Sequence, residues 1–166
     1  MTQKVAEYEP RILIISTLTC AYPGADNAGQ LHLDHNPHAY NLRVMAPVIF
    51  PEEFYVYCFE QGFDGIIVMA CGEECPYPSA YKTLAKRLDK LYEIMKNGSF
   101  AQLSARVKDT YRTMGKRGIS SDRLKLTAIC TVCAQSYVRE INEMTEKLKL
   151  LPPIKECLSD ASQGDN

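Results

Sequence analysis

Five cysteines in three separate segments are the residues of this chain with the clearest capacity for chemistry. Cys20 follows one short apolar run, Cys71 and Cys75 form a Cys-x-x-x-Cys loop after a second, and Cys130 and Cys133 form a Cys-x-x-Cys after a third. Cysteine thiolates that converge select zinc or an iron–sulfur cluster. A cysteine pair at the start of a helix also suits thiol–disulfide chemistry. The fold must therefore decide which of these segments meet.

Short apolar and β-branched runs predict four strands, at residues 11–16, 41–45, 65–70 and 124–129. Helical patterns separate them, so we predict a single α/β domain with a four-stranded parallel sheet flanked by helices. The carboxyl ends of parallel strands share one edge, where doubly wound sheets place their working sites. All five cysteines should therefore lie at the C-terminal edge of the strands.

The helices and the domain limits follow from turn and capping signals. A helix after Cys20 should end near residues 36–37, and a helix that begins after Pro51 should stop at Gly62. Two further helices should cover the segment from Pro78 to Met114, with their apolar stripes in the core. The predicted domain spans residues 1–151, and residues 152–166 are predicted to be a flexible tail.

Composition excludes several classes of partner. The chain has 166 residues and a formal net charge of −1, which gives no general attraction to nucleic acid or to an anionic membrane. No apolar segment approaches the roughly 18 residues that a membrane span needs. No signal region begins the chain, so we expect a cytoplasmic protein. Seven cysteines in that compartment indicate metal binding, redox work or burial more often than disulfides.

The remaining candidate ligands have simpler interpretations. His32, His35 and His38 have a spacing that suits a metal, but they follow a helix that leads away from the cysteine edge. We expect them at the opposite end of the sheet. Cys58 should be a buried apolar residue within a helix, and Cys157 should be a bystander in the tail.

Three motifs in the amino-terminal half resemble one family. They are Cys-Ala-Tyr-Pro-Gly-Ala-Asp-Asn-Ala-Gly at 20–29, Arg-Val-Met at 43–45 and Phe-Asp-Gly-Ile-Ile-Val-Met-Ala-Cys-Gly-Glu-Glu-Cys-Pro-Tyr at 63–77. Their order and spacing resemble the delta subunit of methyl-viologen-reducing hydrogenase, the small iron–sulfur subunit associated with heterodisulfide reductase.

The resemblance implies electron transfer without catalysis. A member of this family is expected to hold a 2Fe–2S cluster between a donor enzyme and an HdrA-like flavoprotein, which resembles the flavin-bearing component of heterodisulfide reductase. The donor is a hydrogenase or a formate dehydrogenase, and related modules occur in anaerobic flavin-based bifurcating assemblies, including those of the benzoyl-CoA reductase type.

The chain departs from the family at two ligand positions. Thr17 stands where the family's first Cys-x-x-Cys begins, and Ala46 stands where the family has a cysteine after Arg-Val-Met. Neither side chain ligates iron as a thiolate does. Conversely, Cys130 and Cys133 occupy positions where the family has other residues.

Three interpretations follow from these departures. In the first, Cys20, Cys71, Cys75 and one of Cys130 and Cys133 rebuild a four-thiolate cluster site. In the second, the chain is an adaptor that binds zinc or no metal within the same kind of complex. In the third, Cys130 and Cys133 act as a thiol–disulfide pair.

Overall fold

The computed structural model describes residues 8–45, 47–70, 110, 113–115 and 119–163. Two short 3-10 turns, Pro47–Ile49 and Ser121–Arg123, accompany the helices and strands. In chain order, the strands and helices of the described ranges are β1 (Ile12–Thr17), α1 (Ala21–Gln30), β2 (Ala39–Val44), α2 (Glu52–Glu60), β3 (Gly65–Ala70), β4 (Leu124–Ala128), α3 (Ala134–Lys149) and α4 (Ile154–Gln163).

The four strands form one parallel sheet in the order β2-β1-β3-β4, which confirms the predicted fold class. The register pairs Ile12 with both Ala39 and Gly65, and Ile66 with Leu124. The chain passes from β1 to β2 on one side and then returns to β3 on the other side. The strand order therefore reverses between β1 and β3, which is where doubly wound sheets form a crevice at their carboxyl ends.

Both faces of the sheet are covered, as the apolar sequences of β1 and β3 require. The sheet face under α1 and α3 packs Ile12, Ile14, Ile67 and Met69 against those helices. The face under α2 and α4 packs Leu13, Ile15, Ile66 and Val68. Every residue of β1 and β3 is buried because both strands lie in the middle of this three-layered arrangement.

A buried polar cluster closes the amino end of the sheet. The Asp64 carboxylate accepts the backbone N–H groups of Arg11 (3.0 Å) and Ile154 (2.9 Å). The Arg123 guanidinium, only 1% exposed, donates to the Asp64 carbonyl at 3.1 Å and to the Pro152 carbonyl. These bonds tie β1, β3, β4 and the start of α4 together, because buried polar groups need such partners.

The structure differs from the predicted flexible tail at residues 152–166. Ile154–Gln163 forms α4, and Ile154 is buried in the core with Cys157 and Leu158 packed beside it. In the sequence alone, Pro152 and Pro153 indicate the end of the preceding helix. Proline also begins helices, and here it places the Ile154 N–H against the Asp64 carboxylate.

Two other predictions can be compared with the structure. Helix α1 ends at Gln30 rather than near residue 36, and His32 adopts a positive φ of 52° just after it. Met114 is fully buried, as predicted for the helical stripes. The helix predicted to begin at Pro78 and most of the one that follows it lie outside the described residues. None of the helices within the described ranges combines the length and apolar character that a membrane span requires.

Candidate functional site

The carboxyl edge of the sheet is the place where the described cysteines of interest come together. Cys20 immediately precedes α1, and Cys133 immediately precedes α3. Both helices lie on the same face of the sheet and contact each other. A Cβ atom on Gly24 of α1 would lie only 3.1 Å from the Cys130 carbonyl oxygen, so α1 packs directly on the turn that carries Cys130.

Cys71 and Cys75 lie outside the described residues, but the strand that leads to them is well placed. Strand β3 lies between β1 and β4, and its last residue, Ala70, pairs with Ala128. The Ala70 carbonyl accepts the Ile129 N–H at 3.0 Å. The chain therefore enters Cys71 from a point between the segments that carry Cys20 and Cys130.

Cys130 and Cys133 form a disulfide in the structure, with Cα atoms 5.2 Å apart. The sequence did not favour a disulfide, because cytoplasmic chains usually keep their thiols reduced. The bond forms because the turn between β4 and α3 brings the two residues together. The Cys133 N–H donates to the Cys130 carbonyl at 3.2 Å, which closes the turn independently of the sulfur atoms.

Cys20 is a buried thiol, 3% exposed, at the N-cap position of α1. Its side chain forms no helix-capping hydrogen bond. Instead, the Thr17 hydroxyl accepts the Ala21 N–H at 3.3 Å. Thr17 thus satisfies one orphan donor at the helix start, a role that sequence reasoning missed. The signal was a threonine four residues before the first helical position.

The donor set can be compared with what an iron–sulfur cluster requires. Four thiolates hold such a cluster. Within the part of the chain that the structure describes, no three His, Cys, Asp or Glu side chains are grouped as a metal site. A disulfide sulfur carries no thiolate charge, so Cys130 and Cys133 become possible ligands only after reduction. Cysteine sulfur is the kind of donor that such clusters use, and Cys71 and Cys75 lie outside the described residues.

The other cysteines lie away from this edge. Cys58 is buried within α2, as predicted, and its burial raises the pKa of the thiol to about 11. It therefore stays protonated at neutral pH and is a poor metal ligand. Cys157 on α4 is half-buried, and Arg123 lies 3.7 Å from its sulfur at the amino end of the sheet.

The histidines lie at the amino end of the strands, which confirms that part of the analysis. His38 directly precedes β2, and its carbonyl accepts the Ile12 N–H at the start of β1. The neighbouring Asn36 amide donates to the Pro10 carbonyl at 2.9 Å. The ring of His35 contacts the edge of the Tyr137 ring at 6.2 Å between centroids. Each of these contacts joins elements of the fold.

Exposed apolar side chains lie in segments that follow β1, β2 and β4 at the carboxyl edge. Leu18 follows β1, Met45 follows β2, Ile49 lies in the adjoining 3-10 turn, and Val132 lies between the two bonded cysteines. Their exposed fractions are 37%, 67%, 67% and 56%. We name these four residues the apolar rim. Exposed large apolar side chains at a sheet edge are compatible with a surface that meets another protein.

Comparisons with known proteins agree with the motifs of the sequence. The chain is 27% identical over 150 residues to the iron-sulfur subunit of the F420-non-reducing hydrogenase of Archaeoglobus profundus, covering 90% of this chain and 96% of the relative. It is 26% and 22% identical to the iron-sulfur subunits of the vhu and vhc F420-non-reducing hydrogenases from Methanococcus voltae. Those two alignments cover 87% and 88% of this chain, and 95% and 89% of the relatives.

A family model describes the same relationship over a continuous part of the chain. The model for the methyl-viologen-reducing hydrogenase delta subunit matches residues 12–103, which is more than half of the 166 residues. That range contains β1 to β3, Cys20, Cys71 and Cys75. This chain therefore belongs to the methyl-viologen-reducing hydrogenase delta-subunit family.

Proposed function

We propose that this chain is a non-catalytic electron-transfer subunit of a cytoplasmic oxidoreductase complex. The observation that supports this most is the placement of cysteine segments from β1 and β4 at one sheet edge, on either side of the strand that leads to Cys71 and Cys75. The relatives are iron–sulfur subunits by name, and the family is that of a hydrogenase delta subunit.

The proposed cofactor is a 2Fe–2S cluster, which would supply one-electron redox chemistry at this edge. Cys20, Cys71, Cys75 and one of Cys130 and Cys133 would hold it. Cys20 would contribute from a buried position at the start of α1, where the helix dipole favours a thiolate. Thr17 would keep the helix start in place and contribute no ligand.

The proposed partners are an HdrA-like flavoprotein and a donor of the hydrogenase, formate dehydrogenase or benzoyl-CoA reductase type. The apolar rim supports a protein partner at the cysteine edge. Burial of such side chains would stabilise the complex by about 25 cal/mol for each Å² removed from water. It would also bring the partner's redox group close to the thiols.

Anaerobic purification followed by iron, sulfide and zinc analysis tests the cluster directly. We expect two irons and two sulfides per chain, with visible absorption that bleaches on reduction. Cys20→Ser should reduce the iron content, whereas Cys58→Ser, which changes a thiol within α2, should not. Iron-free protein that has never met air would contradict the electron-carrier proposal.

A second function is favoured by the disulfide itself. Because Cys130 and Cys133 are bonded to each other, they supply no ligands in this state, and Thr17 and Ala46 have already replaced two family ligands. An adaptor that binds zinc, or no metal, would retain the apolar rim and the fold. It would be colourless in the same purification and would still bind its flavoprotein partner.

A further inference from the structure

The turn between β4 and α3 holds Cys130 and Cys133 at bridging distance whether or not their sulfur atoms are bonded. Their Cα separation of 5.2 Å lies inside the range that disulfides use. The turn hydrogen bond from the Cys133 N–H to the Cys130 carbonyl, 3.2 Å, depends only on the backbone. Reduction therefore leaves the two thiols facing each other.

Buried residues fix both sides of this turn. Ile129 is 2% exposed and donates its N–H to the Ala70 carbonyl, which joins the turn to β3. Ala134 is also 2% exposed, and the Cys133 carbonyl accepts the Tyr137 N–H at 2.9 Å, which joins the turn to α3. Val132, between the two cysteines, is 56% exposed. The turn is therefore anchored on both sides by buried residues, and its central part is accessible to molecules in solution.

We propose that Cys130 and Cys133 form a reversible two-electron dithiol–disulfide couple that exchanges with a dithiol reductant. A thiolate of the reductant attacks one sulfur of the pair, forms a mixed disulfide and releases the other sulfur as a thiolate, which takes up a proton. The second thiol of the reductant then displaces the first cysteine. The protein gains two electrons and two protons, and the reductant becomes a disulfide.

The start of α3 determines which sulfur leaves. Cys133 is the N-cap residue of α3, and its side chain makes no capping hydrogen bond. The positive end of the helix dipole stabilises a negative charge at this position. A better-stabilised thiolate leaves faster. The reductant therefore attacks Cys130, and Cys133 departs.

The couple and the proposed cluster are alternative states of this turn, because the cluster would take one of Cys130 and Cys133 as a thiolate ligand and a disulfide between them excludes that. The cluster would transfer single electrons, whereas the cysteine pair transfers two electrons with two protons. A pair that is bonded or thiol-bearing is also a pair that ligates no metal. The experiment must therefore distinguish bonded, free and metal-ligated sulfur.

The test uses the full chain, purified without air and equilibrated with series of reduced and oxidised dithiothreitol. Samples are quenched with acid and alkylated, and the peptide that carries both cysteines is examined by mass spectrometry. We expect the two cysteines to change together, from unalkylated and bonded to doubly alkylated, along a two-electron curve while circular dichroism shows a folded protein. Cys157→Ser should leave this curve unchanged.

A second measurement tests the order of attack. During partial reduction by glutathione, we expect about tenfold more glutathione adduct on Cys130 than on Cys133. In Cys133→Ser, Cys130 should collect a stable adduct from oxidised glutathione, since no resolving thiol remains. An adduct mainly on Cys133 of the wild-type chain would overturn the assignment of the leaving group.

Three results would overturn the couple. One is a bond that resists every dithiol ratio until the protein unfolds. Another is a pair that stays doubly alkylated under full oxidation. The third is protection of both sulfurs without a bond between them, as ligands to metal. Iron analysis of the same samples separates the two proposals: iron-free protein whose bond is reversibly reduced contradicts the cluster alone, and a bound cluster that protects one of the two sulfurs contradicts the couple.

Discussion

The two ends of the sheet use buried and exposed residues in opposite ways. At the amino end, Asp64 and Arg123 are 5% and 1% exposed, and their hydrogen bonds join the starts of three strands to α4. At the carboxyl end, the apolar rim is exposed in segments that follow β1, β2 and β4. The amino end therefore buries a polar cluster, and the carboxyl end exposes the four residues of the apolar rim.

This difference separates stability from function. A buried polar cluster contributes to the folded state only when its members are satisfied, so its loss is costly. Exposed apolar residues contribute little to the isolated chain and become favourable when a partner covers them. Substitutions at the amino end should therefore destabilise the protein, whereas those at the carboxyl end should mainly weaken its interactions.

The largest effect is expected at the amino end. Arg123→Met removes the donors to the Asp64 and Pro152 carbonyls and should lower the free energy of unfolding by about 3 kcal/mol. Arg139→Met is the matched control, because the Arg139 side chain on α3 is 63% exposed. It should change stability by less than about 0.5 kcal/mol. Urea unfolding measures the free energy of unfolding of both variants. Equal losses of stability would contradict a special contribution of the buried Arg123 cluster.

The next largest effect is a loss of stability at alkaline pH, caused by a buried tyrosine that contacts the middle of β2. Tyr137 is 3% exposed, and its hydroxyl accepts the Asn41 amide N–H at 2.9 Å. Burial raises the pKa of this phenol to about 12. Since the neutral form is favoured in the folded state, its contribution is present below pH 10 and is lost as the pH rises toward 12.

The expected loss from Tyr137 over that interval is up to about 2.5 kcal/mol. Tyr137→Phe should lower stability by about 1 kcal/mol at neutral pH because the Asn41 amide loses its acceptor, yet it should flatten the alkaline decline. Tyr57→Phe, at a site that is 56% exposed, is the control. Urea unfolding measured between about pH 8 and pH 11 compares the slopes, and identical slopes in all three proteins would contradict the role of Tyr137.

Smaller effects are expected in α1, where one glycine substitution should lower the stability and another should raise it. Gly24→Ala places a Cβ atom 3.1 Å from the Cys130 carbonyl oxygen, which the turn hydrogen bond holds in place. We expect a loss of about 1 kcal/mol, because strain outweighs the gain in helix propensity. Gly29→Ala meets nothing within 4 Å and should stabilise the same helix by about 0.5 kcal/mol. Thermal unfolding measures the change in stability of both variants. If both are stabilised, the turn that carries Cys130 moves aside for the new Cβ atom, and the expected strain is absent.

The smallest effect on stability is expected in the apolar rim. Val132→Ser should change the free energy of unfolding by less than about 0.5 kcal/mol, since Val132 is 56% exposed. The same change should weaken retention of a flavoprotein partner in anaerobic co-purification. Leu150→Ser, at an 86% exposed residue after α3, is the control for exposure alone. If both variants retain the partner equally well, the apolar rim has no specific role in docking.

Much of the fold could be predicted because the strands have a strong local signal. β3 was predicted at its observed limits, Gly65–Ala70, since an apolar run between turn residues has few other uses. β2 was predicted two residues late, because an edge strand with Asn41 and Arg43 is less apolar. Helix α4 was missed because its burial depends on Asp64, which is 90 residues away in sequence.

The placement of the described cysteines at the carboxyl edge was predicted, and their bonding was not. Parallel strands must end at one edge, so the positions of Cys20, Cys130 and Cys133 followed from the element order. The disulfide was not predicted, because an expected cytoplasmic chain usually keeps its thiols reduced. Only the turn geometry shows that the Cα atoms of the two residues are 5.2 Å apart. The capping role of Thr17 also requires the backbone of α1.

The sequence by itself determined the parallel α/β sheet, the edge that bears the cysteines and the family, because periodicity, the order of elements along the chain and motif spacing can be read from the residues directly. The tertiary structure decided which polar residues are buried together, where the tail packs and which cysteines are bonded. Those outcomes depend on contacts between residues distant in sequence, or on a turn geometry that amino-acid types alone do not specify.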